Sequence, residues 1–184
     1  KGEIQLDWIH STSSDASYYQ IYRRTNGLGA WSFVAQTGYV NTYKDANLNT
    51  TDNVYEYRLT CEDNCRNISA PTALHASINL TTVPGNNRSN LSWTAYNGFV
   101  VDLYEIYADG VLINNVPGTQ LAYVDSMLSC DTAVVYQIKA LELNGNTQVS
   151  YSDTSICTPY DIIPPAPVYT IAASVEQPEN LVKL

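Results

Sequence analysis

The chain has 184 residues, room for one or two domains of ordinary size. Apolar residues make up 45% and charged residues only 15%, which suits a packed core and excludes a coiled coil or a charge-rich disordered chain. Nine Lys+Arg against 18 Asp+Glu give a net charge of −9. Nucleic acid and anionic lipid are therefore poor partners, and no apolar run reaches the roughly 18 residues of a membrane span.

Tyr occurs 15 times against two Phe and one Met. Tyr and Thr favour strands, and Asn, Gly and Ser favour turns. No long stretch has helical periodicity, so the expectation is an all-β chain. In chain order, Ile4, Leu6 and Trp8 alternate with polar residues and point one way. Asn26-Gly27 follows the next strand and suits the positive φ angles of a tight hairpin. Tyr57, Leu59 and Cys61 alternate again. Ala70-Pro71 punctuates the chain, and a strand is expected over residues 74–81. Asp109-Gly110 repeats the hairpin signal, Tyr136, Ile138 and Ala140 repeat the alternation, and Ile163-Pro164-Pro165 is the next break.

The order of these features repeats. Leu6-Asp7-Trp8 matches Leu91-Ser92-Trp93, and Tyr19-Gln20-Ile21-Tyr22 matches Tyr104-Glu105-Ile106-Tyr107. Tyr43-Lys44-Asp45 matches Tyr123-Val124-Asp125, and Tyr57 to Cys61 matches Tyr136 to Ala140. Four matches in one order indicate two copies of a module of about 85 to 90 residues. Period-two strands between turn clusters indicate antiparallel sandwiches.

These residues resemble fibronectin type III modules, an immunoglobulin-like β-sandwich family. The resemblance places Trp8 and Trp93 in the core on the second strand, and Tyr57 and Tyr136 on the sixth strand, each making a corner hydrogen bond. Cys61 stands where the family has Ala. A narrower resemblance links Cys61 to Ser69, and Asn90 to Tyr96, to modules of secreted Bacteroidetes surface proteins of the gliding-linked type IX secretion system. It implies an extracellular or cell-surface setting and neighbouring modules of one parent chain as partners.

Residues 1–69 then read as a module lacking its first strand, and 70–158 as a complete module. Residues 159–184 read as the first strand and the start of the second of a third module, so the chain reads as part of a longer protein. A missing edge strand leaves unpaired backbone groups. Residues 164–184 are a candidate filler, by strand donation between copies.

Cys130 and Cys157 flank a hairpin with its turn near Asn144-Gly145-Asn146, and are expected to form a disulfide worth roughly 3 kcal/mol. Cys61 and Cys65 are expected to form a short cross-turn bridge. Their spacing does not suit zinc. His10 and His75 have no nucleophile context. Asp45, Asn47, Asn49 and Asp52 match only part of a calcium loop. No motif asks for a cofactor, metal or catalytic residue. The leading expectation is a non-catalytic spacer or adhesion role. The alternative is a carbohydrate-binding pair from a secreted polysaccharide-degrading system, with Trp31, Tyr39 and Tyr96 as ligand-facing residues because they fall outside the core repeat. A polysaccharide or a cell-surface protein is the candidate outside partner.

Overall fold

The computed structural model describes residues 2–143 and 148–169. They form an all-β chain of two immunoglobulin-like sandwiches in tandem.

The first sandwich uses β1 (Glu3–Asp7), β2 (Ala16–Thr25), β3 (Leu28–Thr37), β4 (Thr42–Ala46), β5 (Tyr55–Asp63) and β6 (His75–Ala76). Among the described residues β1 pairs with β4 alone, and β3-β2-β5-β6 form the facing sheet. The second uses β7 (Leu80–Gly85), β8 (Arg88–Trp93), β9 (Val101–Ala108), β10 (Val111–Pro117), β11 (Ala122–Ser126), β12 (Val134–Glu142), β13 (Val149–Tyr151) and β14 (Ser155–Cys157). β11-β8-β7 form one sheet; β10-β9-β12, extended by β13 and β14 on β12, form the other.

The expected turns are present. Asn26 and Gly27 join β2 to β3 at φ 53° and 67°, and Asp109 and Gly110 join β9 to β10 at 49° and 78°. Both are left-handed pairs, which match strand twist in a two-residue hairpin.

Each repeated residue has the same job in both copies. Trp8 meets Tyr19 edge-on at 5.4 Å, and Trp93 meets Tyr104 at 5.6 Å. The Tyr19 hydroxyl accepts from Ser11 N at 2.9 Å, and Tyr104 from Tyr96 N at 2.8 Å. Those donors stand three residues after each Trp, so the bond ties the following loop to the core. Tyr57 Oη donates to Asp45 Oδ2, and Tyr136 Oη to Asp125 Oδ2, both at 2.8 Å. The corner bond thus joins the third and fourth repeat matches.

Two expected boundaries move. β6 lies where the second module's first strand was expected, yet it pairs with β5 through Glu56↔Ala76 and Tyr57↔His75. The chain from Ile68 onward already follows β5: Ser69 N donates to Cys61 O and Thr72 N to Leu59 O, both 2.8 Å. Pro71 does not stop it, because an outer strand can leave one N–H unused. The second module's first strand is β7 instead. Its end also moves past residue 158: Pro159 is fully buried, Asn87 N donates to Tyr160 O at 2.8 Å, and Ile162 N donates to Asn86 Oδ1 at 3.1 Å. Of the expected third-module strand, residues 170–184 lie outside the described residues, as does the turn at 144–146.

Candidate functional site

The four cysteines are free thiols, so neither expected disulfide is formed. Across the hairpin, Cys61 faces Ser69: Cys61 N donates to Ser69 Oγ at 2.9 Å and Ser69 N returns to Cys61 O. Cys65 sits at the exposed tip, where Asp63 Oδ1 accepts from Cys65 N and Asn67 N, both at 2.8 Å. The register pairs Cys61 with Ser69 and leaves Cys65 beyond it. In the second sandwich Cys157 lies opposite Val134 and points into the core, 2% exposed. Cys130 is exposed, four residues earlier, in a loop where Asp131 N donates to Pro159 O.

Other titratable candidates are occupied structurally. Asp45, the first residue of the calcium-like run, is buried against Arg23 Nη1 at 2.6 Å and Tyr57. Asn49 and Asp52 bond each other at 2.9 Å. His10 stacks on Tyr39, with ring centroids 4.1 Å apart, and its Nδ1 lies 3.2 Å from Tyr19 Oη. Among the described residues, no three His, Cys, Asp or Glu side chains group as metal ligands would.

The three expected ligand-facing aromatics divide. Tyr39 is half exposed, but one face lies on His10 and its hydroxyl donates to Ser11 O at 3.3 Å. Tyr96 is half-buried at the joint between sandwiches. Its hydroxyl is 2.6 Å from His75 Nδ1, and its ring packs on Phe99 at 4.4 Å. Burial pushes the Tyr96 phenol well above the ordinary tyrosine value and holds the half-buried His75 ring below its own. Tyr96 is therefore corrected from a ligand-facing residue to part of the joint.

That joint has no free linker. Ser77 N donates to Tyr55 O at 2.8 Å, while Ile78 is already in the second core. Ala76 N donates to Asn97 O at 2.7 Å, Thr50 Oγ1 to Asp153 Oδ2 at 2.7 Å, and Asn79 Nδ2 to Thr51 O at 2.5 Å. Gly98 completes it: a Cβ there would lie 2.6 Å from both His75 Nδ1 and Tyr96 Oη. Beside the joint is an open groove of about 450 Å³, lined by Thr51, Asp52, Asn79, Thr81, Ser92, Trp93 and Thr94. Trp93 is only 6% exposed, so it offers the groove no stacking face.

Trp31 lies on the outer face of the β3-β2-β5 sheet, half-buried. Tyr19, Ile21, Tyr55 and Tyr57 face inward, so alternation sends Tyr22, Arg24, Glu56 and Arg58 outward. Register sets Phe33, Tyr22 and Arg58 on one rung, and Arg24 beside Glu56 on the next. The guanidinium of Arg58 lies 4.5 Å from the Trp31 ring centroid and that of Arg24 at 4.7 Å. Arg24 also ion-pairs with Glu56. The sequence reading singled out Trp31 and missed its neighbours. The period of two running outward from Tyr19 and Tyr57 was the available signal.

No protein-family model matches the chain. It is 38% identical over 79 residues to an alpha-amylase of Niallia circulans, covering 42% of this chain and 6% of that protein. It is 23% identical over 193 aligned residues to exoglucanase B of Cellulomonas fimi, covering 94% of this chain and 17% of that protein. The chain therefore spans a small fraction of the curated relatives it matches. Among solved structures, the central fibronectin-III array of RIM-binding protein gives a TM-score of 0.40 at 10% identity, over 90% of this chain and 66% of that one. Strand order and the paired repeat bonds define the fold.

Proposed function

We propose that the two sandwiches are a rigid, non-catalytic spacer within a larger extracellular or cell-surface protein that works on or beside polysaccharide. The observation that carries this reading is the joint. Bonds from Ala76, Thr50 and Asn79 cross it, and the His75–Tyr96 contact fills it. Polar groups partly withdrawn from water and satisfied in one arrangement favour that arrangement. A spacer transmits position when its joint resists bending, and this joint replaces a linker with strand and core. The matches to small parts of an alpha-amylase and an exoglucanase support a place beside glycan-active domains. The resemblance to gliding-associated surface modules fits an array of such units, with neighbouring modules as the partners.

Small-angle scattering tests the reading. The expected curve fits one extended two-body shape, unchanged between low and high salt. A curve that needs a broad mixture of bent and straight shapes would contradict it.

A further inference from the structure

Arg58 is a half-buried cation set among rings. Its Nε is buried with no hydrogen-bond partner, and among the described residues its guanidinium makes no ion pair. Its neighbours are rings, Trp31 at 4.5 Å and Tyr22 at 5.8 Å. On a chain of net charge −9, a cation held without a carboxylate runs against the overall balance.

The second sandwich is an internal control. The repeat places Gln137 at the position of Arg58 and Asp109 at that of Arg24. The nearest cation on that face, Lys139, is neutralised by Glu105 at 2.9 Å. The second sheet folds without an unpaired arginine or a Trp at this place, so the fold does not demand them.

The Arg58 rung also carries Phe33, 58% exposed and edge-on to Tyr22 at 5.9 Å. Exposed Gln36 lies on the adjoining rung opposite Gln20. The face thus joins an open ring for stacking, a polar amide, and a guanidinium packed against rings. A guanidinium held in this way loses less freedom when it takes a carboxylate in a two-pronged bond.

We propose that this face binds a carboxylate-bearing polysaccharide, with a sugar ring against Phe33 and a uronic-acid carboxylate on Arg58. The charge left unmatched on Arg58 selects the acid, and the adjacent ring and amide select a sugar chain over a peptide. The proposal stands apart from the spacer reading, since a flexible pair would present the same face.

Affinity electrophoresis of the full 184-residue chain tests it, using polygalacturonate, glucuronoxylan, neutral β-glucan and poly-glutamate. The expected result is retardation by the two uronate polymers, weakened about tenfold or more in Arg58→Gln, as loss of a charge-assisted hydrogen-bond pair implies. Exposed Phe33→Ala, whose stability should be unchanged, weakens it too and decides the matter if Arg58→Gln misfolds. Equal retardation by poly-glutamate would reduce the site to a bare charge and overturn the proposal. So would equal binding of β-glucan, unchanged binding by both variants, or no retardation at all.

Discussion

The two sandwiches share their repeat bonds and differ in how well they are closed. In the second, β7 pairs with β8, and eleven buried residues, from Ile78 through Trp93 and Ile138 to Cys157, form one core. In the first, among the described residues, β1 pairs with β4 alone, and the buried cluster is Ile21, Tyr55 and Tyr57. Ile4, Leu6 and Trp8 are only half-buried around it. The comparison separates two roles. A few repeated residues specify the sandwich, while the strand that closes its flank removes the apolar area from water that stabilises it.

The sharpest way to break this comparison is through the tryptophans. Trp93→Ala should destabilise its sandwich by about 3–5 kcal/mol, as large core truncations do. Trp8→Ala should cost clearly less, because that indole is less deeply buried than that of Trp93. Urea unfolding followed by residue-resolved amide signals reads each sandwich separately. Equal losses would contradict the difference in closure.

The buried carboxylates sharpen it next. Asp45 bonds both Tyr57 and Arg23, whereas Asp125 is half-buried and, among the described residues, bonds Tyr136 alone. Arg23→Gln should destabilise the first sandwich by about 1–3 kcal/mol, since it leaves a buried charge short of a partner. The matching position in the second sandwich is Ala108, so there the same repeat works without the cation. Tyr136→Phe should cost about 1 kcal/mol there. Chemical denaturation of the two variants checks the order.

Titration distinguishes the sandwiches from their joint. Burial, reinforced by a carboxylate acceptor, raises the Tyr57 and Tyr136 phenols far above the ordinary value. The unfolded phenols ionise near pH 10 while the native ones stay protonated, so both sandwiches should lose stability as pH rises beyond about 10. His75 acts in the opposite direction. Burial lowers its native pKa, so the unfolded state takes a proton first. The joint should weaken as pH falls from about 6.5 toward that lower native value, with no such loss above about pH 6.5. Melting curves across pH should show the alkaline loss in wild type and in His75→Gln, and the acid loss only in wild type.

The smallest effect is expected at Gly98. Gly98→Ala places a methyl group against His75 and Tyr96 and should disturb their signals, with both cores intact. Spectra in which the core signals shift as well would place Gly98 inside a core instead of at the joint.

Much of the fold was legible because repetition marks it. Trp8 with Trp93 and Tyr57 with Tyr136 announce the modules, and Asn26-Gly27 and Asp109-Gly110 their hairpins. The module edges were not legible. Residues 68–77 lack clean alternation and contain Pro71, and only pairing with β5 reveals their allegiance. The cysteines misled because spacing along the chain says little of register across a hairpin, where Ser69 faces Cys61. The candidate surface was half legible. Trp31 stood out as a residue outside the repeat, but the arginines around it come from two other strands. Tyr96 stood out for the same reason and belongs to the joint, because its partner His75 is 21 residues away in sequence.

As a rigid spacer, the two sandwiches hold one relative position. Double electron–electron resonance between spin labels on exposed Ser32 of β3 and exposed Asn115 of β10 measures it directly. The expected result is a single narrow distance distribution that broadens in the double variant His75→Ala, Tyr96→Phe. A broad distribution in the wild-type chain, unaltered by that variant, would contradict it.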